Sequence, residues 1–216
     1  MRERSLWTYV VSVLVMALPV LTCVLRTDQF ALHSAINAHH APWADVFFRY
    51  WTWLASGWTP TALALLLLGR SWRAFLMMGL SAGLSALVVQ GLKHGFFSAH
   101  DRPAELITRM PGLYLVPGED MNHHFSFPSG HATAAFSMCL AAAVLIARPS
   151  AAVLMALFAA SLGYSRIYLS QHFTEDVLAG CVVGTTTSII VYWMLYKGRW
   201  GRSAGLDRSP FRRRQR

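Results

Sequence analysis

SLWTYVVSVLVMALPVLTCVL, residues 5–25, is a run of 21 uncharged residues between Arg4 and Arg26. A helix needs about 20 mostly apolar residues to cross the roughly 30 Å hydrocarbon core of a bilayer, so this run reads as a membrane span. A signal peptide is the competing reading, but its apolar core is usually about 7 to 15 residues and a small-x-small cleavage site follows it. This run is longer and no such site follows. Working outward, there are 20 uncharged residues between Arg49 and Arg70, 19 between Arg73 and Lys93, and 20 between Asp176 and Lys197. Two shorter runs, 132–147 with 16 residues and 149–165 with 17, sit near the lower limit of about 17 and span by borrowing polar flanking residues. The expected fold is all-α: a polytopic membrane bundle of six transmembrane helices with an active site on its outer face. It forms one domain, residues 1–200, followed by a basic cytoplasmic tail, residues 201–216.

Composition agrees with this reading, because 55% hydrophobic and 13% charged residues depart from the balance of a soluble globule. Six spans put both termini on one side. The inner segments, 1–5, 69–73, 148–150 and the tail from Lys197, hold 13 of the 19 Lys and Arg residues but only Glu3 and Asp207 of the 10 acids. Cytoplasmic loops carry the excess of Lys and Arg, so both termini are expected in the cytoplasm. The net charge of +9 is therefore topological, and nucleic acid is not expected as a partner. Arg212, Arg213, Arg214 and Arg216 give orientation, with contact to anionic lipid as the lesser reading. Cys23, Cys139 and Cys181 are isolated in apolar runs and read as packing residues.

The inner connections at 69–73 and 148–150 are very short, which makes the helices they join antiparallel neighbours. The outer connections, 26–49 and 93–128, are longer, and such segments often carry function. In the first, Phe30, Leu32 and Ile36 alternate with polar residues and lead into Trp43, Phe47, Phe48, Tyr50, Trp51 and Trp53. Aromatic rings with one apolar and one wet edge collect at the membrane surface, so this segment reads as an interfacial belt with His33, His39 and His40 as interfacial polar residues.

Three clusters place phosphate-compatible groups at the outer ends of the spans: Lys93 with Arg102-Pro103, Pro128-Ser129-Gly130-His131, and Ser165-Arg166 with His172 and Asp176. Pro128 disfavours helix before it, Ser129 is a good N-cap, and Gly130 lets a ligand approach the backbone. A helix starting there aims free N–H groups and a positive dipole end at an anion, with His131 in its first turn. His172 and Asp176 are four residues apart; on a helix they share one face, where the carboxylate orients the ring and stabilises charge that develops on it. Arg166 and Arg102 supply forked guanidinium groups suited to phosphate oxygens. His94, His100, His123 and His124 match no metal-ligand spacing and read as solvated loop residues. Glu119 and Asp120 lie in the same connection as groups that tune access.

Together these motifs resemble the membrane branch of the type-2 phosphatidic acid phosphatases, or lipid phosphate phosphatases, which share their site with vanadium haloperoxidases and bacterial acid phosphatases. The second and third motifs match in full; in the first, eight residues separate Lys93 from Arg102 where the family pattern has six. A long lysine absorbs the difference, or the arginines act without it. The resemblance implies that His172 attacks phosphorus, Asp176 orients it, and His131 protonates the departing alkoxide. It further implies that Lys93, Arg102, Ser129, Gly130 and Arg166 bind the phosphoryl oxygens without metal or cofactor.

The expected activity is hydrolysis of a lipid phosphate monoester or diphosphate. Phosphatidate, phosphatidylglycerophosphate, an isoprenyl diphosphate and lipid A all present such a group at the membrane surface. Lipid-to-lipid phosphotransfer is the rival within enzymes, and a non-catalytic lipid-binding or transport protein on the same bundle the rival outside them. The expected location is a bacterial inner membrane, with the site on the periplasmic or extracellular side.

Overall fold

With no water inside a bilayer, a spanning backbone has to satisfy its own N–H and C=O groups, and a helix does so within one segment. The structure, a computed structural model describing residues 1–211, is helical throughout its ordered elements, with no strand among the described residues. Helix α1 covers Arg2–Arg26, α5 Trp72–Gly95, α6 Gly130–Ile146, α7 Pro149–Tyr168 and α8 Thr174–Tyr192, which continues as a π turn to Lys197. Between α1 and α5 come α2 (Gln29–Asn37), α3 (Pro42–Trp51) and α4 (Trp58–Leu67). α1, α5, α7 and α8 with its extension are long and apolar enough to cross a membrane, whereas α4 and α6 are apolar but shorter. The arginines at 212, 213, 214 and 216 lie outside the described residues.

The run between Arg49 and Arg70 differs from the single helix expected of it. It begins inside α3, passes through a 3-10 turn at Thr52–Ala55, breaks at Ser56, where ψ is 153°, and resumes as α4. Pro60 tolerates only the first turn of a helix and Gly57 is a poor helix former, so a new helix starts here. At 10 residues α4 is about 15 Å long, half the hydrocarbon thickness.

The short connections at 69–73 and 148–150 make tight reversals as expected. α5 starts after Ser71, whose hydroxyl accepts from the Ala74 N–H, and Ala147 adopts the left-handed conformation between α6 and α7. α6 is the central helix, packed on α8, α7, α5 and α1. α1 turns Val11, Leu14, Val15, Leu18 and Leu25 outward, a lipid-facing surface on a helix flanked by arginines.

Small residues set the α6–α8 seam. A Cβ on Gly180 would stand 2.6 Å from the Ser129 carbonyl oxygen and 3.0 Å from Ala132 Cβ, and one on Gly184 would strike the Thr133 carbonyl oxygen. Glycines four apart let two backbones touch, the contact that joins helices in a bilayer where apolar burial contributes little. At the end away from the site, Arg73 holds Asp207 at 2.6 and 2.8 Å, and Lys197 holds Glu3 at 2.6 Å. The Trp72 N–H donates to the Arg208 carbonyl, docking residues after α8 on the start of α5.

Candidate active site

Helix directions bring one end each of α5, α6, α7 and α8 together, and all eight residues expected at the site lie there or in the adjoining connections. α7 stops at Tyr168 and the chain turns through Ser170, whose φ is +52°. The Arg166 carbonyl accepts from the N–H groups of Gln171 at 3.0 Å and His172 at 3.2 Å, closing the helix C-terminus. His172 therefore sits in a turn and not on a helix, which corrects the expected basis of its pairing with Asp176. Asp176 is in the first turn of α8 and folds back, so that its Oδ2 accepts from the Phe173 N–H at 2.9 Å. That oxygen also faces His172 Nδ1 at 3.3 Å and accepts the Ser126 hydroxyl at 2.5 Å.

Ser126, His172 and Asp176 are each no more than 3% exposed. With Nδ1 against a carboxylate, the imidazole proton resides there, and Nε2 keeps its lone pair. Nε2 has no hydrogen bond to any described residue. Burial first, then the charges of Arg102, Arg166 and Lys93, hold the His172 ring well below its usual pKa of 6.5, so it stays neutral.

Each cation is steered by neutral partners. Lys93, in the last turn of α5, donates to the Phe125 carbonyl at 2.7 Å, three residues before Pro128. Arg102 donates to the carbonyls of His124 at 2.9 Å and Gln171 at 3.2 Å, and to Gln171 Oε1 at 3.2 Å. Arg166 donates to Thr52 Oγ1 at 2.9 Å while its buried Nε has no partner among the described residues. Ser129 caps α6 through Ala132, and its own N–H donates to the Asp176 carbonyl at 2.9 Å, locking the starts of α6 and α8 together. A Cβ on Gly130 would meet nothing nearer than Val89 Cγ1 at 4.0 Å, so the backbone there is not crowded on that side. His131 makes no hydrogen bond to a described side chain and shares with Lys93 and Gly130 a cleft of about 250 Å³ between α5 and α6.

Ser126, Thr52 and Gln171 were not found in the sequence, since a lone polar residue in a loop carries no spacing signal. Gln171 donates to the Asp120 carbonyl at 2.8 Å and accepts from Asn122 at 3.3 Å, tying the long connection over the site. Glu119 faces Arg49 at 3.7 Å, and His123 and His124 diverge onto Glu105 and Asp101. His33, expected as an interfacial polar residue, is 1% exposed beneath the turn that carries His172. Burial lowers its pKa to about 4.

These two rings set an acid limit on stability. Below 6.5 the unfolded chain takes up protons that the folded protein excludes from His33 and His172, so stability falls as pH drops toward about 4, by up to about 1.4 kcal/mol per pH unit for each ring. Melting temperatures in detergent should decline across this window, and a His33→Gln variant should decline less. A melting temperature unchanged down to pH 4.5 would contradict the assignment.

The sequence profile described as the PAP2 superfamily matches residues 72–200. A lipid A 4'-phosphatase of Bacteroides thetaiotaomicron is 23% identical over 167 residues, 74% of each chain. The crystal structure of Aquifex aeolicus LpxE superposes with a TM-score of 0.64 at 31% identity, covering 74% of this chain and 92% of that one. A transmembrane PAP2-type phosphatidylglycerolphosphate phosphatase from Bacillus subtilis superposes with a TM-score of 0.63 at 22% identity, over 87% of this chain and 96% of that one, and shares the fold.

Proposed function

The chain belongs to the PAP2 superfamily, and on that premise we propose that it is an integral membrane phosphatase that hydrolyses a lipid phosphate through a phosphohistidine on His172. The observation that carries this reading is the His172 ring itself, held from behind by Asp176 and Ser126, with no hydrogen bond on Nε2 from a described residue and with the charges of Arg102, Arg166 and Lys93 acting on it. Nε2 forms a bond to phosphorus as the P–O bond to the lipid breaks, and His131 delivers a proton to the departing alkoxide. Asp176 stabilises the positive charge that the ring acquires. Water, losing a proton to His131, then attacks phosphorus; the P–N bond breaks and inorganic phosphate leaves. Lys93, Arg102, Arg166, the Ser129 hydroxyl and the amides at Gly130 hold the equatorial oxygens, the fixed positive groups that phosphoryl transfer needs.

A lipid A phosphate ranks first among substrates, on the likeness to the Bacteroides enzyme. The proposed topology has six crossings, the second made by α4 together with the 3-10 turn at Thr52–Ala55 that precedes it and α6 being the other short one, with residues 201–216 as a basic cytoplasmic tail and the site on the outer face of a bacterial inner membrane. The excess of Lys and Arg at the opposite end supports this orientation.

The test is phosphate release by detergent-purified protein, in excess EDTA, from lipid A, phosphatidylglycerophosphate, phosphatidate and an isoprenyl diphosphate. Release from lipid A that survives the chelator is the expected result. Turnover only when a second lipid is supplied as acceptor would replace hydrolysis by phosphotransfer, and loss of activity with the chelator would overturn the metal-free route.

A further inference from the structure

α2 lies outside the three motifs, yet it grips both flanks of the candidate nucleophile. On one side, His33 Nε2 lies 3.2 Å from the Ser170 hydroxyl, which also accepts from Asn37 Nδ2 at 3.2 Å. On the other, the rings of His33 and Phe30 meet Phe173 edge-on, with centroids 5.3 and 5.8 Å away. Ser170 is two residues before His172 and Phe173 one after it. Asn37 extends the grip to the long connection, donating to the Tyr114 carbonyl at 2.7 Å and accepting its N–H at 2.8 Å.

Ser170 shows why the grip matters. Its φ of +52° is a conformation that glycine adopts freely and serine does not. The turn nevertheless carries serine, and its fully buried hydroxyl is occupied by two side chains from one distant helix. Polar groups in such a place fix geometry, because a buried hydroxyl that moves loses partners it cannot replace.

We propose that α2 is a positioning clamp for the nucleophile: His33 and Asn37, acting through the Ser170 hydroxyl, set the direction in which His172 presents Nε2. The proposal rests on His172 being the nucleophile. It makes His33 and Asn37 positioning residues that touch neither substrate nor phosphate, so the clamp acts on turnover and leaves phosphate binding to the cations. A reacting atom misplaced by about 1 Å costs on the order of 100-fold in rate.

Ser170→Gly is the decisive variant, since it deletes the hydroxyl while keeping a residue at ease with positive φ. Its kcat on p-nitrophenyl phosphate should fall about 10- to 100-fold with KM little changed and no loss of melting temperature. His33→Leu should give the same fall in kcat, His33→Gln should restore most of it, and Ser170→Gly combined with His33→Leu should be no worse than either alone. Full kcat in Ser170→Gly, a change confined to KM, or multiplying effects in the double variant would overturn the clamp. His172→Ala, run beside them, separates the two ideas: if it keeps its activity the nucleophile assignment fails, and if it is dead while Ser170→Gly is unimpaired only the clamp fails.

Discussion

His172→Ala is expected to lower phosphate release about 10⁴-fold or more, a loss of the size seen when a covalent nucleophile is removed from an otherwise intact site. In the proposed mechanism Lys93, Arg102 and Arg166 can still bind the phosphoryl group in this variant, but the atom that attacks phosphorus is gone. The fold survives because Asp176 Oδ2 keeps the Ser126 hydroxyl at 2.5 Å and the Phe173 N–H at 2.9 Å. Melting should therefore drop by only a few degrees, the usual scale for about 1 kcal/mol in a domain of this size. His131→Ala should cost about 10²- to 10⁴-fold on an alkyl phosphate and much less on p-nitrophenyl phosphate, whose phenolate leaves without a proton. Release rates and melting curves measured together decide the matter: activity that falls only in step with the folded fraction would reduce His172 to a packing residue.

Gly184→Leu should be the most damaging change far from the chemistry. A Cβ at 184 already strikes the Thr133 carbonyl oxygen and lies 3.0 Å from the Ser137 N–H, both backbone groups that no side-chain rotation can move aside. α8 has to separate from α6, and with it go the Ser129–Asp176 bond of 2.9 Å and the Ser188–Ser137 bond of 3.2 Å. Overpacking of this kind typically costs about 1–3 kcal/mol and occasionally more, and with both backbone contacts broken little folded protein is expected in detergent. Gly180→Ala, against the Ser129 carbonyl at 2.6 Å, should lose more activity than stability, because it displaces the start of α6 where His131 sits. Monodisperse yield and melting temperature test both, and a Gly184→Leu protein that purifies and melts normally would show that the seam tolerates a wider spacing.

The sequence was informative where chemistry or solvent imposes a pattern. Long uncharged runs marked the spanning helices, and the order of Lys93, Arg102, Ser129, Gly130, His131, Arg166, His172 and Asp176 marked one end of the bundle. It misled at 50–69, where uniform hydropathy hid the break at Ser56-Gly57, and at His172, where four-residue spacing suggested a helix face and the chain instead makes a turn that an aspartate caps from behind. Ser126, Thr52 and Gln171 act by hydrogen bonds across 46 to 114 residues of chain or by reaching loop carbonyls, and no local period encodes such contacts. His33 belongs with them, since one buried imidazole in an aromatic segment looks like any other until its neighbour across the fold is known.

The partners chosen for Lys93, Arg102 and Arg166 have a consequence for the protein in its surroundings. Each is fixed by a carbonyl, an amide oxygen or a hydroxyl and, among the described residues, none by a carboxylate. If these cations cradle the phosphoryl group as proposed, no carboxylate of a described residue has to leave them first, and free orthophosphate fits the same place as the substrate's phosphate. Added orthophosphate should then inhibit competitively, raising KM and leaving kcat unchanged, a consequence that initial rates in graded phosphate would check.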